Sequence, residues 1–378
     1  MFLIISSNNF LIIFLGIELQ NFITYILIST YKTKQTTLKS VFLYLILNSI
    51  LGIFFLFSLL IIFSFCKTLV LSELQLILPL LFQYPSSITL WILFSFLLLI
   101  CIILFKLASA PFHFWVKDIY AGVSISLIGF LNINTKLIFF FILLQLITLL
   151  NYTNIIPSIQ FLCLICGCFS LIIGSLLTIY QKTIKTFLVC SSITHIGYLL
   201  IVFSTYNNLF FLSSICGYIF NYMFTLLILW SILSYFSEYT MQNDFYLTEL
   251  ISFFRYTPAL GLIFCFCLLS LAGIPPFIGF FFKYQIILAM ISNNLISFSF
   301  IFFILLISVL SCYYYLIILK LIFFENQKKI SFSIFYNIIQ TESQFTLISI
   351  SFIILLLSPF FYNIINTLIT SLIFITFF

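Results

Sequence analysis

Five titratable side chains stand inside long apolar stretches of the chain. They are Glu18, Lys106, Lys136, His195 and Lys283. A charged side chain at the centre of a bilayer costs roughly 2.5–3.5 kcal/mol on insertion scales, so such residues usually face the interior of a helix bundle and mark a path for ions or protons. An acid, three lysines and a histidine can all take up and release protons. Their types and positions predict a proton pathway.

Each of these residues also has a purely structural interpretation. Lys106 and Lys283 could reach an interface and act only as anchors. Glu18 and one lysine could form a buried structural pair, and His195 could be a core histidine with satisfied hydrogen bonds. The presence of all five, near the middle of a segment or beside a helix break, favours function over coincidence.

Three prolines interrupt two of the same segments. Pro111 removes the N–H that would bond to the carbonyl of Leu107 in a continuous helix, and Pro275 and Pro276 do the same to carbonyls that include that of Ala272. In lipid, a freed carbonyl is tolerated only where protein or water satisfies it. The sequence therefore predicts two discontinuous helices lining a hydrated cavity, each carrying a lysine, as in transporter-like inverted repeats.

The composition dictates the elements that must position these residues. Of 378 residues, 64% are hydrophobic and only 6% are charged, whereas a water-soluble domain has about 25% charged residues. Apolar runs of about 20 residues predict an all-α integral membrane protein. About ten transmembrane segments are expected, near residues 10–30, 41–65, 87–113, 122–150, 158–180, 187–205, 209–236, 257–290, 296–323 and 345–375. The broken stretch 67–86 is expected to form at most a short interfacial helix.

The basic residues outside these segments support the assignment. Loops on one side of a membrane collect Lys and Arg. The loops on one predicted side hold only Lys67, and those on the other hold Lys32, Lys34, Lys39, Lys117, Lys182, Lys185, Arg255, Lys320, Lys328 and Lys329. The start of the chain has no basic region and no small-residue cleavage site, which predicts no signal peptide. The cysteine groups beginning at Cys163 and Cys265 lie in apolar runs, which favours buried packing over metal binding.

Four stretches of the chain resemble a known family. They are similar to signatures of the antiporter-like subunits of respiratory complex I. In chain order the four stretches are FLGIELQNFITYIL, FKLASAPFHFWVKDIYAGV, LVCSSITHIGYLL and LSLAGIPPFIGFFFKYQII. A lysine in Gly-Phe-x-x-Lys and the chain length are most like the subunit 2 branch. One departure is Lys117, which replaces the proline of the second signature. The resemblance implies antiporter-like inverted repeats with two discontinuous helices.

The resemblance also implies roles for the five residues. Glu18 matches the acidic partner of Lys106 in the first half-channel, Lys136 matches a bridging lysine, and Lys283 matches the terminal lysine. His195 matches a histidine on the hydrated axis between them. Redox energy released elsewhere would drive proton translocation, as part of an NADH:ubiquinone reductase. The chain itself would bind no cofactor or metal, since NADH, flavin, iron–sulfur clusters and ubiquinone belong to other parts of such a complex.

The expected domains are an incomplete first repeat over 1–150, a second repeat over 151–325, and a loop with a C-terminal transmembrane helix over 326–378. The first repeat would lack its opening helix. Neighbouring subunits, or a separate polypeptide from a split gene, would then cover the exposed face beside residues 10–65. The expected partners are the other membrane-arm subunits of complex I, that polypeptide and membrane lipids, with no nucleic acid.

Abundant Phe and Tyr, 53 and 21 residues, suggest an AT-rich organellar genome and predict a multi-pass protein of the mitochondrial inner membrane. Two other functions compete with proton translocation in complex I. One is a subunit of a multi-subunit cation/proton antiporter, which shares these motifs. The other is a structural membrane scaffold whose buried charges only hold helices together.

Overall fold

The structure is a computed structural model. It describes residues 2–30, 35–82, 87–151, 153, 155–206, 210–240, 245–292, 298–324, 342–360, 362 and 367. Within these residues the regular elements are helices, with two isolated bridges, Asn9 to Val70 and Thr183 to Tyr246. The all-α prediction is confirmed. The predicted basic positions 32, 34, 328 and 329 lie outside the described residues.

The chain divides into two compact units, Met1–Cys166 and Gly167–Phe378. The predicted repeat boundary at 150/151 stays a prediction. Helix α8 (Ile156–Ile179) contains the division between the units. The other helices of the first unit are α1 (Phe2–Ile5), α2 (Phe10–Thr30), α3 (Gln35–Cys66), α4 (Leu71–Phe82), α5 (Ser87–Leu107), α6 (Phe114–Ala121) and α7 (Ile125–Leu149).

The second unit continues from α8 through seven further described helices. Its helices are α9 (Ile184–Phe203), α10 (Phe211–Thr240), α11 (Glu249–Tyr256), α12 (Pro258–Ala272), α13 (Ile278–Ile291), α14 (Phe298–Phe324) and α15 (Glu342–Leu357). Helix α10 packs against α9, α12, α13 and α15. It is the element around which the described part of this unit is arranged.

Eight of the described helices are long and apolar enough to cross a membrane, namely α2, α3, α5, α7, α8, α9, α10 and α14. They match eight of the ten predicted segments, so this chain is a multi-pass membrane protein. The predicted segment 257–290 is formed by the shorter helices α12 and α13. The tenth, 345–375, is described as a continuous stretch only to residue 360. The stretch 67–86 contains the 12-residue helix α4.

The interruption at Pro111 is longer than the sequence predicted. Helix α5 ends at Leu107, so the predicted helix over 87–113 is wrong for its last six residues. Proline disfavours helical backbone at the preceding residue as well as removing an N–H. The backbone turns at Ala108, which has a φ of 62°. Ser109 then caps α5, because its N–H and its hydroxyl both donate to the carbonyl of Leu104.

The second interruption lies between α12 and α13. Gly273 ends α12 with a φ of 79°, in the left-handed region that glycine adopts without strain. Pro275 and Pro276 follow, and α13 begins at Ile278. A discontinuous helix was predicted here and is observed.

The start of α13 lies directly against the end of α12. A Cβ atom added to Gly279 would stand 1.8 Å from the carbonyl oxygen of Ser270, which is backbone and cannot turn aside. Small residues permit this kind of close approach between helices in membranes. Gly279 therefore fixes the distance between the two halves of the interrupted helix.

We expect Gly279→Ala to separate α12 from α13 and to destabilise the chain by about 1–3 kcal/mol, as overpacking does in other cores. The measurement is the thermal stability of the detergent-solubilised complex that contains the chain. Gly261→Ala on α12 is the matched control, because its Cβ would stand no closer than 3.0 Å to its neighbours, which are side-chain atoms of Phe254. Equal stability of the Gly279 variant and wild type would show that α12 and α13 are not in contact here.

Candidate functional site

The ammonium of Lys106 is buried at the end of α5, with 7% of the residue exposed. Its Nζ donates a hydrogen bond of 3.0 Å to Oδ1 of Asn21 on α2, and another to Oδ1 of Asn48 on α3. The rings of Tyr44 and Phe139 each lie with their centroids 5.9 Å from Nζ. Two amide oxygens and two aromatic faces therefore replace water around this charge.

Glu18 lies one helical turn before Asn21 on α2. Its Oε1 accepts a hydrogen bond of 3.3 Å from Nδ2 of Asn21. Within the described part of the chain, Glu18 and Lys106 are thus joined through one amide rather than by a direct ion pair. The carboxylate packs against Gly52 of α3, where an added Cβ would stand 3.0 Å from Oε1. Because Gly52 has no side chain, the carboxylate of Glu18 can occupy this position.

A cavity of about 10 Å³ lies beside this cluster and is lined by Glu18, Asn48, Gly52 and Lys106 among others. This volume is the space open to the centre of a water-sized sphere, and about 10–15 Å³ of it is needed to hold one water molecule. The space between the carboxylate and the ammonium is therefore at most about one water in size.

Lys136 is buried in the middle of α7, also in the first unit. Asn132 precedes it by one helical turn and is fully buried. Neither polar atom of the Asn132 side chain makes a hydrogen bond within the residues that the structure describes. Since a buried polar group without a partner is unfavourable, the side of α7 next to Lys136 is suited to binding water.

Lys283 is buried on α13, in the second unit, and its charge faces the interrupted helix. Its Nζ donates to the carbonyl oxygen of Ala272 at 2.7 Å and to Oγ of Ser311 at 3.4 Å. The thiol of Cys312 also donates to the carbonyl of Ala272, at 3.2 Å. The carbonyl that the interruption frees is therefore satisfied by the lysine itself.

A second cavity, of about 130 Å³, adjoins Lys283 and is lined by Tyr198, Gly273, Ser308 and Cys312 among others. One water molecule needs about 10–15 Å³ of such volume, so several would fit. The ring of Tyr198 also lies with its centroid 5.1 Å from Nζ of Lys283. This lysine has room for a local water cluster.

His195 is held between two phenol groups in the same unit. Its Nδ1 is 2.7 Å from the hydroxyl of Tyr218 on α10, and its Nε2 is 2.9 Å from the hydroxyl of Tyr315 on α14. A hydroxyl both donates and accepts, so either tautomer of the imidazole finds a partner on each side. Next to it, the hydroxyls of Thr194 and Tyr314 are 3.2 Å apart.

The chain is similar to a known family of membrane proteins. A family model described as "NADH:quinone oxidoreductase/Mrp antiporter, TM" matches residues 7–311. The chain belongs to this family. The match includes Glu18, Lys106, Lys136, His195 and Lys283.

Two relatives in this antiporter family carry the names of NADH oxidoreductase subunits. The chain is 31% identical over 335 residues to NADH-ubiquinone oxidoreductase chain 2 of Rhizopus oryzae, covering 85% of this chain and 61% of the relative. It is 31% identical over 296 residues to NADH-quinone oxidoreductase subunit N of Buchnera aphidicola, covering 76% of this chain and 59% of the relative. The chain thus spans about 60% of the length of these first relatives.

Solved structures share the fold of this antiporter family. A chain of respiratory complex I from Thermus thermophilus with bound aureothin aligns with a TM-score of 0.78 and 23% identity, over 97% of this chain and 76% of that one. A chain of the Mrp complex from Dietzia aligns with a TM-score of 0.72 and 17% identity, over 85% of this chain and 58% of that one. At these identities the similarity establishes the fold.

The structure brings some of the predicted site residues together. Glu18 and Lys106 meet in one hydrogen-bonded cluster of the first unit. In the second unit, Tyr198 lies beside both Lys283 and His195, with its ring centroid 6.5 Å from that of His195. The predicted polar axis through Lys136, His195 and Lys283 spans both units and stays a prediction, as do the proton-pathway roles. The three prolines lie in the two interruptions rather than within helices.

The neutral partners of these charges were not predicted from the sequence. They are Asn21, Asn48, Ser311, Tyr218 and Tyr315. Asn21 could have been found, because residues three apart on a helix lie on the same face and it follows Glu18 at that spacing. The other four come from helices distant in sequence, and no local pattern marks them.

Gly273 tests the geometry around Lys283. An added Cβ would stand 2.7 Å from Cδ of Lys283, and the φ of 79° is unfavourable for alanine. We expect Gly273→Ala to displace the ammonium from the carbonyl of Ala272 and to destabilise the chain by about 1–2 kcal/mol through backbone strain alone. The measurements are the thermal stability of the detergent-solubilised chain and the proton-translocating activity predicted from the sequence.

Gly273→Asn separates the two effects, because asparagine tolerates left-handed backbone but carries the same Cβ. An asparagine variant as impaired in activity as the alanine variant identifies contact with Lys283 as the cause. An asparagine variant with wild-type activity contradicts the observed packing of Lys283 against Gly273.

Proposed function

We propose that this chain is a proton-translocating membrane-arm subunit of mitochondrial complex I, of the subunit 2 type. It conducts protons through Glu18, Lys106, Lys136, His195 and Lys283, and this conduction is coupled to electron transfer from NADH to ubiquinone. The observation that carries the proposal is the buried ammonium of Lys106, linked through the amide of Asn21 to the carboxylate of Glu18. Membership of the antiporter family and the names of its relatives support it.

The chemistry of the Lys106 cluster suits a switch rather than a fixed pair. Burial favours the neutral form of a lysine, and a nearby carboxylate favours the charged form. Because the two effects oppose each other, a change in the charge of Glu18 shifts the balance between the charged and neutral forms of Lys106. A direct, fully satisfied ion pair would instead hold both charges in place.

The redox reaction belongs to other subunits in this proposal. NADH, flavin, iron–sulfur clusters and ubiquinone would be bound elsewhere in the complex, and this chain would supply buried groups that change their protonation. The mitochondrial inner membrane is the proposed location. The codon bias implied by the Phe and Tyr content and the word ubiquinone in the name of the Rhizopus relative support it.

The proposed partners are the other membrane-arm subunits and membrane lipids. The half-buried Glu18 lies on α2 between Leu15, Leu19 and Phe22, which are all more than half exposed. A carboxylate this close to lipid is unfavourable. We therefore propose that another polypeptide covers this face of α2, either a neighbouring subunit or a separately encoded chain with its own membrane helices.

A subunit of a cation/proton antiporter is the second candidate function. The structural similarity to a chain of the Mrp complex from Dietzia favours it. Purification in a mild detergent separates the candidates. Co-purification of flavin and iron–sulfur subunits supports complex I, and their consistent absence from an intact membrane assembly supports the antiporter.

Lys106→Met tests proton translocation, because methionine has a similar length and no charge. We expect the complex to assemble and to lose most of its proton pumping, since the ammonium has no substitute on α5. The measurement is the number of protons translocated per NADH oxidised in proteoliposomes. Lys117→Met is the matched control, because Lys117 is exposed on α6. Unchanged pumping in the Lys106 variant would indicate a structural scaffold.

A further inference from the structure

We infer that Asn21 transmits the protonation state of Glu18 to Lys106 by rotating its side-chain amide, while Asn48 holds the ammonium in place. This inference rests on the proposed function and adds two positioning residues to it. The charges of Glu18 and Lys106 are then coupled through a neutral group that changes orientation.

The hydrogen bonds fix the orientation of both amides in the observed state. An ammonium has three donors and no acceptor, so the atoms that face it must be carbonyl oxygens. Nζ of Lys106 contacts Oδ1 of Asn21 and Oδ1 of Asn48. The opposite end of the Asn21 amide, Nδ2, donates to Oε1 of Glu18. The charged lysine and the charged carboxylate thus select the same orientation of Asn21.

Protonation of Glu18 removes this preference and allows the opposite orientation of the amide. A neutral carboxyl group carries an O–H donor, and the carbonyl oxygen of Asn21 is an acceptor within reach after the amide turns over. The turned amide presents its N–H₂ group to Lys106. This group repels an ammonium, and it donates to the lone pair of a neutral amine. Glu18 in its neutral form therefore favours Lys106 in its neutral form.

No proton passes through the amide in this scheme. Glu18 exchanges its proton through the adjoining cavity, whose volume of about 10 Å³ accommodates about one water molecule. Lys106 lines the same cavity and exchanges its own proton with the water there. The amide contributes only the orientation that links the two equilibria.

Asn48 has a different role, which is to position the ammonium of Lys106. Its Nδ2 has no partner that meets hydrogen-bond geometry within the described residues, and the neutral phenols of Tyr25 and Tyr44 lie near its amide, so no charged group besides Lys106 acts on its orientation. It is 2% exposed and comes from α3, the helix that packs against both α2 and α5. Asn48 therefore positions the ammonium next to Asn21 whichever way the Asn21 amide points.

The other groups around Lys106 leave Glu18 as the controlling charge. The residue facing Nζ from α3 besides Asn48 is Tyr44, and the residue facing it from α7 is Phe139. A phenol has an ordinary pKa of about 10 and is therefore neutral near pH 7, and phenylalanine does not titrate. The described surroundings of Nζ thus present rings and amide oxygens, with the carboxylate one amide away.

The test uses the assembled complex in proteoliposomes and measures protons translocated per NADH oxidised. Asn21→Leu keeps the volume and removes both the donor and the acceptor. We expect it to lower pumping to the level of Glu18→Gln, and the double variant to be no worse than either single one. Residues that act as one unit show this non-additivity. Asn21→Gln, which restores an amide, should recover part of the pumping.

A second variant covers the case in which Asn21→Leu does not assemble. Asn21→Asp has the same size and places a carboxylate directly on the ammonium, which holds Lys106 charged whatever the state of Glu18. We expect it to abolish pumping and to make Glu18→Gln silent. Ser29→Ala is the matched control on α2, because the exposed Ser29 hydroxyl bonds to the carbonyl of Ile26 and lies two turns beyond Asn21.

Lys106→Met distinguishes the failure of this inference from the failure of the proposed function. Loss of pumping in Lys106→Met with wild-type pumping in Asn21→Leu overturns the inference alone. Losses in Asn21→Leu and Glu18→Gln that multiply in the double variant also overturn it, because the two residues would then act separately. Wild-type pumping in Lys106→Met overturns the proposed function and the inference together.

Discussion

A lysine ammonium inside a membrane must keep its hydrogen bonds without water, and the described parts of both units are arranged around that requirement. Transfer of an isolated charge into an apolar environment is so unfavourable that the group either pairs or becomes neutral. Lys106 and Lys283 each bond to two protein oxygens. The neighbouring helices must therefore bring those oxygens to within about 3 Å of the ammonium, and this constraint fixes where α2, α3, α12 and α14 can lie.

The two units satisfy the requirement in different ways. Lys283 uses the main-chain carbonyl of Ala272, which is available because α12 ends there and Pro276, four residues further on, has no N–H. That carbonyl is a fixed acceptor. Lys106 instead uses side-chain amides from two other helices, while the carbonyls at the end of its own helix are occupied by Ser109 and by the indole of Trp115. An amide can turn over, so the environment of Lys106 is adjustable in a way that the contact between Lys283 and Ala272 is not.

The sequence predicted the elements well and their partners poorly, for a physical reason. Spans such as α7 and α9 follow from the length of an apolar run, and the break before α13 follows from Pro275 and Pro276, which act on their own backbone. The end of α5 was predicted six residues too late, because the turn at Ala108 depends on capping by Ser109 as well as on Pro111. Asn48, Tyr218 and Tyr315 were not predicted at all. Their importance arises from packing between helices that are far apart in the chain, and a single sequence carries no record of that packing.

The polar side chains that surround Lys106 and His195 share one property, which is that rotation can reverse their hydrogen-bonding sense. The Asn21 amide presents either an acceptor or a donor to Lys106, and the hydroxyls of Tyr218 and Tyr315 can each donate to His195 or accept from it. A neutral His195 needs one hydroxyl that donates and one that accepts, and a charged His195 needs two that accept. Rotation about a C–O bond achieves that change without moving a helix. Fixed carboxylates in direct contact would favour a single protonation state, whereas amides and phenols allow each state in turn to be fully hydrogen-bonded. A low barrier between protonation states is thus compatible with a tightly packed helical interior, since only light groups have to turn.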